Sequence, residues 1–147
     1  MSRKHAHLAM IQGVVNRLSH NSFLLKGWSV VLVSAMFALA ANDTEILFVY
    51  LAYFPVIAFW GLDGYFLHQE RLFRALYDHV RNLPDSDIDF SMDTSKVKDN
   101  VDSWPSVTLS ITLIAFHGVV LVSIIIVTTI SLYLEYGGQT NGSSSVL

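Results

Sequence analysis

All nine Lys and Arg residues fall in two blocks, and three long apolar stretches lie between and beyond them. Arg3, Lys4, Arg17 and Lys26 precede the first stretch, and Arg71, Arg74, Arg81, Lys96 and Lys98 separate the second from the third. No basic residue stands between Lys26 and Arg71, and none follows Lys98. Short loops rich in Lys and Arg stay on the cytoplasmic side, so the blocks predict both insertion and orientation. The N-terminus and the middle segment are expected inside, and the turn at 41–45 and the C-terminal tail outside. The expected fold class is an all-α integral membrane protein. It has three transmembrane helices, an amphipathic N-terminal helix and a cytoplasmic extension of the second span.

Composition fits that class: 52% of the 147 residues are hydrophobic and only 14% are charged. The formal net charge of -3 argues against a chain that is basic as a whole, although local patches count for more than the sum. The absence of cysteine excludes disulfides, thiolate catalysis and Cys-based metal centres. Lys26, the apolar run after it and Ala38-Leu39-Ala40 imitate a cleavable signal, but 26 residues are long for its basic region.

The chain divides into five parts. Residues 1–22 carry Leu8, Ile11, Val15 and Leu18 at the spacing of one helical stripe. That stripe suits the membrane surface, the middle segment or a second subunit. Residues 23–66 read as a transmembrane hairpin, with Lys26 and Trp28 at the inner interface. Ser34, Ala35, Ala38 and Ala41 form a small-residue face on the first span, and Pro55 is expected to kink the second. Residues 67–104 hold a cytoplasmic helix, ended by Pro84, and an acidic loop with one short turn expected at 90–92. Residues 105–134 are the third transmembrane helix, apolar from Val107 to Tyr133 and long enough to be tilted or to extend past the bilayer. Residues 135–147 read as a flexible extracytoplasmic tail.

Candidate chemistry concentrates in the third span. Ser110, His117 and Thr128 fall within about 20° of one line on its helical wheel. An ionisable group at membrane depth is costly and normally faces a bundle interior or water. Two readings of His117 follow: a neutral imidazole bonded to a neighbouring helix, or a pore-lining, gating or proton-handling group. Three helices enclose no aqueous path alone, whereas an oligomer around a shared helix does, and Ser110, His117 and Thr128 are its expected pore-lining residues. Asp63, just beyond Trp60, is placed near the inner interface within reach of Lys26 or Arg71.

Arg17, Lys26, Arg71, Arg74 and Arg81 are the expected ligand-binding residues on the cytoplasmic side. They suit anionic lipid as well as the phosphates of a nucleotide or oligonucleotide, with Tyr65 and Tyr77 available for stacking. The acidic residues at 85–102 oppose the second use unless they fold away. No catalytic constellation, Gly-rich phosphate loop or paired-carboxylate motif is present, so no enzyme and no cofactor are expected. Asp85-x-Asp87-x-Asp89 imitates a calcium loop but has Phe90 where Gly is needed and Lys96 where Glu is needed. His5, His7, His68 and His79 have no metal-binding spacing, so no metal is expected either. Asn42-Asp43-Thr44 and Asn141-Gly142-Ser143 match the glycosylation pattern on the expected outer side.

Two stretches carry a resemblance: 10–17 (MIQGVVNR) leading to 21–28 (NSFLLKGW), and 59–65 (FWGLDGY) leading to 69–77 (QERLFRALY). They resemble small bacterial inner-membrane proteins of the anti-phage effector type, among them the transmembrane effectors of Hailong defence systems. The resemblance covers roughly half the chain. It implies a homotetrameric ion channel held shut by single-stranded DNA oligomers that a partner nucleotidyltransferase makes. Loss of those oligomers would open the channel, depolarise the membrane and abort the infection. It assigns no role to an individual residue. The contrasting expectation is a non-enzymatic membrane scaffold or accessory subunit that recruits a cytoplasmic partner.

Overall fold

A computed structural model of the chain describes residues 2–43 and 46–142. Among the described residues the fold is all-helical, with no strand: α1 (Arg3–Asp43), α2 (Ile46–Leu51), α3 (Tyr53–Asn82), α4 (Trp104–Thr108) and α5 (Ile111–Gly142). Three helical stretches, Arg3–Ala41, Ile46–Asn82 and Ile111–Leu134, are long and apolar enough to cross a membrane.

The amphipathic N-terminal stripe and the first span prove to be one element. Residues 3–43 contain no proline, and nothing at Ser22 interrupts the backbone, so α1 runs on for 41 residues, about 60 Å at helical rise. The change from a striped to an all-apolar pattern at residue 22 marks a change of surroundings and not a helix end. Of the three uses open to the stripe, packing on the middle segment is the one observed. Ile11 and Val15 are buried with Leu76 and Val80 of α3, and Leu8 packs against the same cluster.

Pro55 acts three residues upstream of itself. A proline ring clashes with the carbonyl four residues before it and offers that carbonyl no N–H. The affected residue is Leu51, the last of α2. Ala52 is the interruption, its N–H reaching Phe48 O at 3.2 Å and Val49 O at 3.3 Å before α3 begins. The expected kink takes the form of a one-residue interruption inside one helical stretch, Ile46–Asn82, with Ala52 itself keeping a right-handed helical backbone (φ -65°, ψ -22°). From Tyr53, α3 runs unbroken for 30 residues to Asn82, and Pro84 follows.

The acidic segment is folded onto the pair formed by the start of α1 and the end of α3. Its ordered turns lie at Asp85–Asp87 and Ser95–Asn100, both 3-10, and not at 90–92. Ile88 and Val97 drop into the core beside Leu76 and Val80. The start of α1 clamps the segment: the Arg3 guanidinium donates to Ile88 O (2.9 Å) and the Lys4 ammonium to Leu83 O (2.7 Å). His7, fully buried, bonds Ser91 O at 2.9 Å. Phe90 holds a left-handed backbone (φ 58°), an uncommon state for a bulky residue, with the Arg3 guanidinium 5.6 Å from its ring centre and His7 at 5.5 Å. Asp89 and Asp93 close two small turns by accepting the Ser91 and Ser95 N–H groups, each at 2.9 Å. Those bonds, joined by the Lys96 charge, hold both carboxyls below their ordinary range.

The third span also starts later and runs further than its sequence pattern predicts. Ser103 is extended, and Pro105 sits in the first turn of α4, where a missing N–H costs nothing. The chain turns at Leu109 and Ser110 before α5 begins. α4 is drawn tightly against α3: a Cβ on Gly64 would lie 2.1 Å from Thr108 Oγ1. α5 continues to Gly142, through residues expected to be flexible tail: no proline follows Tyr133, and Gly137 and Gly138 do not end the helix. Residues 143–147, and the outer turn at 44–45, lie outside the described residues, as do Thr44 and Ser143 of the two glycosylation patterns.

Candidate functional site

Where the α1–α3 pair around Ile11 and Leu76 meets the apolar bundle, three helices place four polar side chains together. Ser22 and Lys26 lie one turn apart on α1, Asp63 is on α3, and His117 is on α5. Asp63 and His117 are both fully buried, and the Lys26 side chain is 22% exposed. The Lys26 ammonium pairs with Asp63 Oδ2 and donates to Ser22 Oγ (2.9 Å), and the Ser22 hydroxyl donates to Asp63 Oδ1. His117 Nε2 lies 3.0 Å from Asp63 Oδ2. A buried carboxylate persists only where it is paired and hydrogen-bonded, and Asp63 has a cation, a hydroxyl and an imidazole.

Aromatic rings enclose the cluster. Trp60 stacks on His117, with ring centres 5.7 Å apart and an interplanar angle of 9°, and its indole N–H donates to Thr108 O at 2.9 Å. Phe116 meets His117 edge-on at 5.1 Å, and Lys26 lies 6.0 Å from the Phe116 ring centre. Trp60 therefore ties the imidazole to α4, whose fit against α3 depends on Gly64. Further along the bundle Tyr53 and Thr128 share a hydrogen bond (3.1 Å), and Thr128 also donates back to Ile124 O.

The three residues expected to line a shared pore, Ser110, His117 and Thr128, lie on the side of the third span that faces its own subunit. His117 and Thr128 are buried against α3, and Ser110 Oγ is enclosed. The polar groups on the opposite side of α5 are Thr112, Ser123 and Thr129, all exposed. Ser123 and Thr129 return their hydroxyls to Val119 O and Ile125 O.

The five expected ligand-binding cations are not gathered into one patch within the subunit. Four have carboxylate partners: Lys26 with Asp63, Arg71 with Asp102 (3.6 Å), Arg74 with Glu70 (2.7 Å) and Arg81 with Asp78 (3.6 Å). Arg17 is exposed and makes no ion pair among the described residues. Arg71 and Arg74 border a groove shared with Asp78, Asn100 and Asp102, so its walls are of mixed charge. Of the two tyrosines, Tyr77 packs against the core around Ile11 and Leu76, and Tyr65 remains exposed. Among the described residues no group of His and acidic side chains could hold a metal ion.

The Lys26–Asp63 pair was legible from the common depth expected of both residues at one end of the apolar stretches. Ser22 was missed, although its spacing from Lys26 puts both on one helix face. Trp60 as a partner of His117 left no signal, because the contact joins residues far apart in sequence. Comparison with protein-family models, curated proteins and solved structures finds nothing that matches the chain.

Proposed function

We propose that the chain is a non-enzymatic subunit of an oligomeric ion channel in a bacterial inner membrane, with the N-terminus cytoplasmic and the C-terminus periplasmic. Its cytoplasmic face takes a nucleotide or oligonucleotide that opens or closes the channel, and opening depolarises the membrane in anti-phage defence. The carrying observation is the position of the Ser22–Lys26–Asp63–His117 cluster. α1 and α3 each run unbroken from the cytoplasmic core into the apolar bundle, and the cluster ties them to α5 where they enter it. A ligand that shifts the cytoplasmic pair would work directly on that joint.

Assembly is supported by the outer face of α1. Ser34, Ala35, Ala38 and Ala41 are exposed, while Val33, Met36, Phe37 and Ala40 pack inward. Small residues facing outward allow a helix of another copy to approach closely in lipid. A homotetramer is the stoichiometry we propose, and the exposed hydroxyls of Thr112 and Ser123 are better placed for a shared axis than the buried side of α5.

Ion flux through purified protein in anionic-lipid liposomes tests the reading, with and without single-stranded DNA oligomers inside or outside. Conductance controlled from one side supports it; no conductance in any condition sinks it. One observation favours a second reading, a membrane scaffold recruiting a protein partner: the mixed charge around Arg71 and Arg74 suits a protein surface as well as phosphates. The scaffold predicts that His117→Ala leaves function intact while charge reversal at Arg71 and Arg74 abolishes it.

A further inference from the structure

Four buried polar side-chain atoms have no hydrogen-bond partner among the described residues: His7 Nδ1, Ser29 Oγ, Ser110 Oγ and His117 Nδ1. A buried polar group left unpaired is destabilising, because it gives up its hydrogen bond to water and gains none. Ser29 and His117 belong to the two helices that flank Asp63, and Ser110 to the turn that leads into the second of them, which makes them more than scattered defects.

The protonation pattern of His117 follows from its neighbour. Asp63 Oδ2 already receives the Lys26 ammonium, and a carboxylate offers only acceptors. Nε2 must therefore carry the hydrogen and donate to Asp63. In the neutral ring Nδ1 is then a bare acceptor, completely enclosed. Neither ring beside it supplies a donor: Phe116 has none, and the indole N–H of Trp60 is bonded to Thr108 O.

The serine hydroxyls are unusual in the same way. In an apolar helix a Ser or Thr hydroxyl ordinarily returns to the carbonyl four residues back, as Ser123, Thr128 and Thr129 do at 2.8–2.9 Å. Ser29, inside α1, does not, and Ser110, in the turn before α5, is likewise without a partner. Ser29 lies seven residues beyond Ser22 on the same face of α1, about 10 Å further along the bundle. Ser110 precedes His117 by seven residues, a similar distance towards the other end. α5 runs antiparallel to α3, as the His117–Asp63 and Thr128–Tyr53 bonds require, and so does α1, whose Ser22 meets Asp63 while Ile11 and Val15 meet Leu76 and Val80. The two orphaned hydroxyls thus stand on opposite sides of the ionic cluster.

We propose that the bundle encloses a hydrated, proton-accepting site centred on His117, whose ligands are water and a proton delivered through it. Buried water typically makes about three hydrogen bonds to groups of this kind. When the site loads, an O–H bond of a protonated water breaks, an N–H bond forms at Nδ1 and neutral water remains. The resulting imidazolium keeps its Nε2–H on Asp63, which it then shares with Lys26. Among the described residues the charged groups facing it are Lys26 from α1 and Asp63 from α3, and α5 brings no other charge between Ile111 and Leu134. The site lies within one subunit and does not depend on the channel reading.

The test is nitrogen NMR of full-length protein labelled with 15N-histidine in lipid bilayers. The His117 ring signal is assigned by its loss in His117→Gln. If that variant does not fold, His5→Gln, His7→Gln, His20→Gln, His68→Gln and His79→Gln each remove one other ring and leave His117 by elimination. The expected result is an Nε2–H tautomer with bare Nδ1, a through-space signal to water, and a second proton on Nδ1 when the pH is lowered. An Nδ1–H tautomer, no contact with water, or a ring that stays neutral until the bundle unfolds would each overturn the proposal.

Discussion

Lys26 and Asp63 depend on each other because neither is tolerable alone where it sits. Removing one member of a buried pair leaves an uncompensated charge, whereas replacing both by apolar groups can be neutral. Asp63→Asn should therefore lower the unfolding free energy in detergent by on the order of 3 kcal/mol. The double variant Lys26→Met with Asp63→Leu should recover part of that loss, the rest staying with the His117 Nε2–H and Ser22 hydroxyl that lose Asp63, and equal instability of single and double variants would argue against the pairing. Gly64 is governed by space and not by charge. An added Cβ would meet Thr108 Oγ1 at 2.1 Å and Thr108 Cα at 3.0 Å, and the second is backbone that cannot rotate away. Gly64→Ala should displace α4 at a cost of about 1–3 kcal/mol, and it should redshift the emission of Trp60, whose indole is held by Thr108 O. Thermal unfolding and tryptophan fluorescence of the same sample check both effects.

At the scale of elements, the half around Ile11 and Leu76 is held by a small core, so single residues weigh heavily. Ile11→Ala empties a fully buried position between α1 and α3 and should cost about 2–4 kcal/mol, read as faster hydrogen exchange along 4–18 and 72–82. The acidic segment adds a pH dependence of defined sign. Asp89 and Asp93 are held below the ordinary range first by the Ser91 and Ser95 backbone N–H groups. Their contribution is fully present above the ordinary aspartate value of about 3.9 and is lost as pH falls through the lower folded values. Protease cleavage within 85–100 should stay slow from neutral pH to about pH 4 and accelerate below it; Asp93→Asn should remove part of that dependence. Helix positions were legible because the period-3.6 stripe of Leu8, Ile11, Val15 and the proline at 55 act locally. The union of α1 into one helix was hidden because its composition changes with its surroundings. The seating of Ile88 and Val97 was hidden because the acidic residues around them dominate the pattern.

For the whole molecule, the balance between buried and exposed apolar surface separates the two halves. Around Ile11 and Leu76 the apolar side chains turn inward, as in a water-soluble core. Along the three apolar helices, Phe23, Trp28, Phe54, Ile57, Ile111 and Val119 are each more than half exposed. Surface of that kind over three neighbouring helices requires lipid or further subunits around it. What sequence order could not show was depth matching: Lys26, Asp63 and His117 come from three separate stretches and meet only because the helices are packed in alternating directions. That same alternation makes the orientation testable. The chain contains no cysteine, so a single Ser95→Cys in the acidic segment or Asn42→Cys near the outer turn gives one unambiguous label. With all basic residues on one side, Ser95→Cys should react with a membrane-impermeant maleimide only after cells are opened, and Asn42→Cys should react in intact spheroplasts. Reaction at both positions in intact cells, or the reverse pattern, would refute the proposed topology and move the cytoplasmic helix pair, with Arg17, Arg71 and Arg74, out of reach of any cytoplasmic ligand.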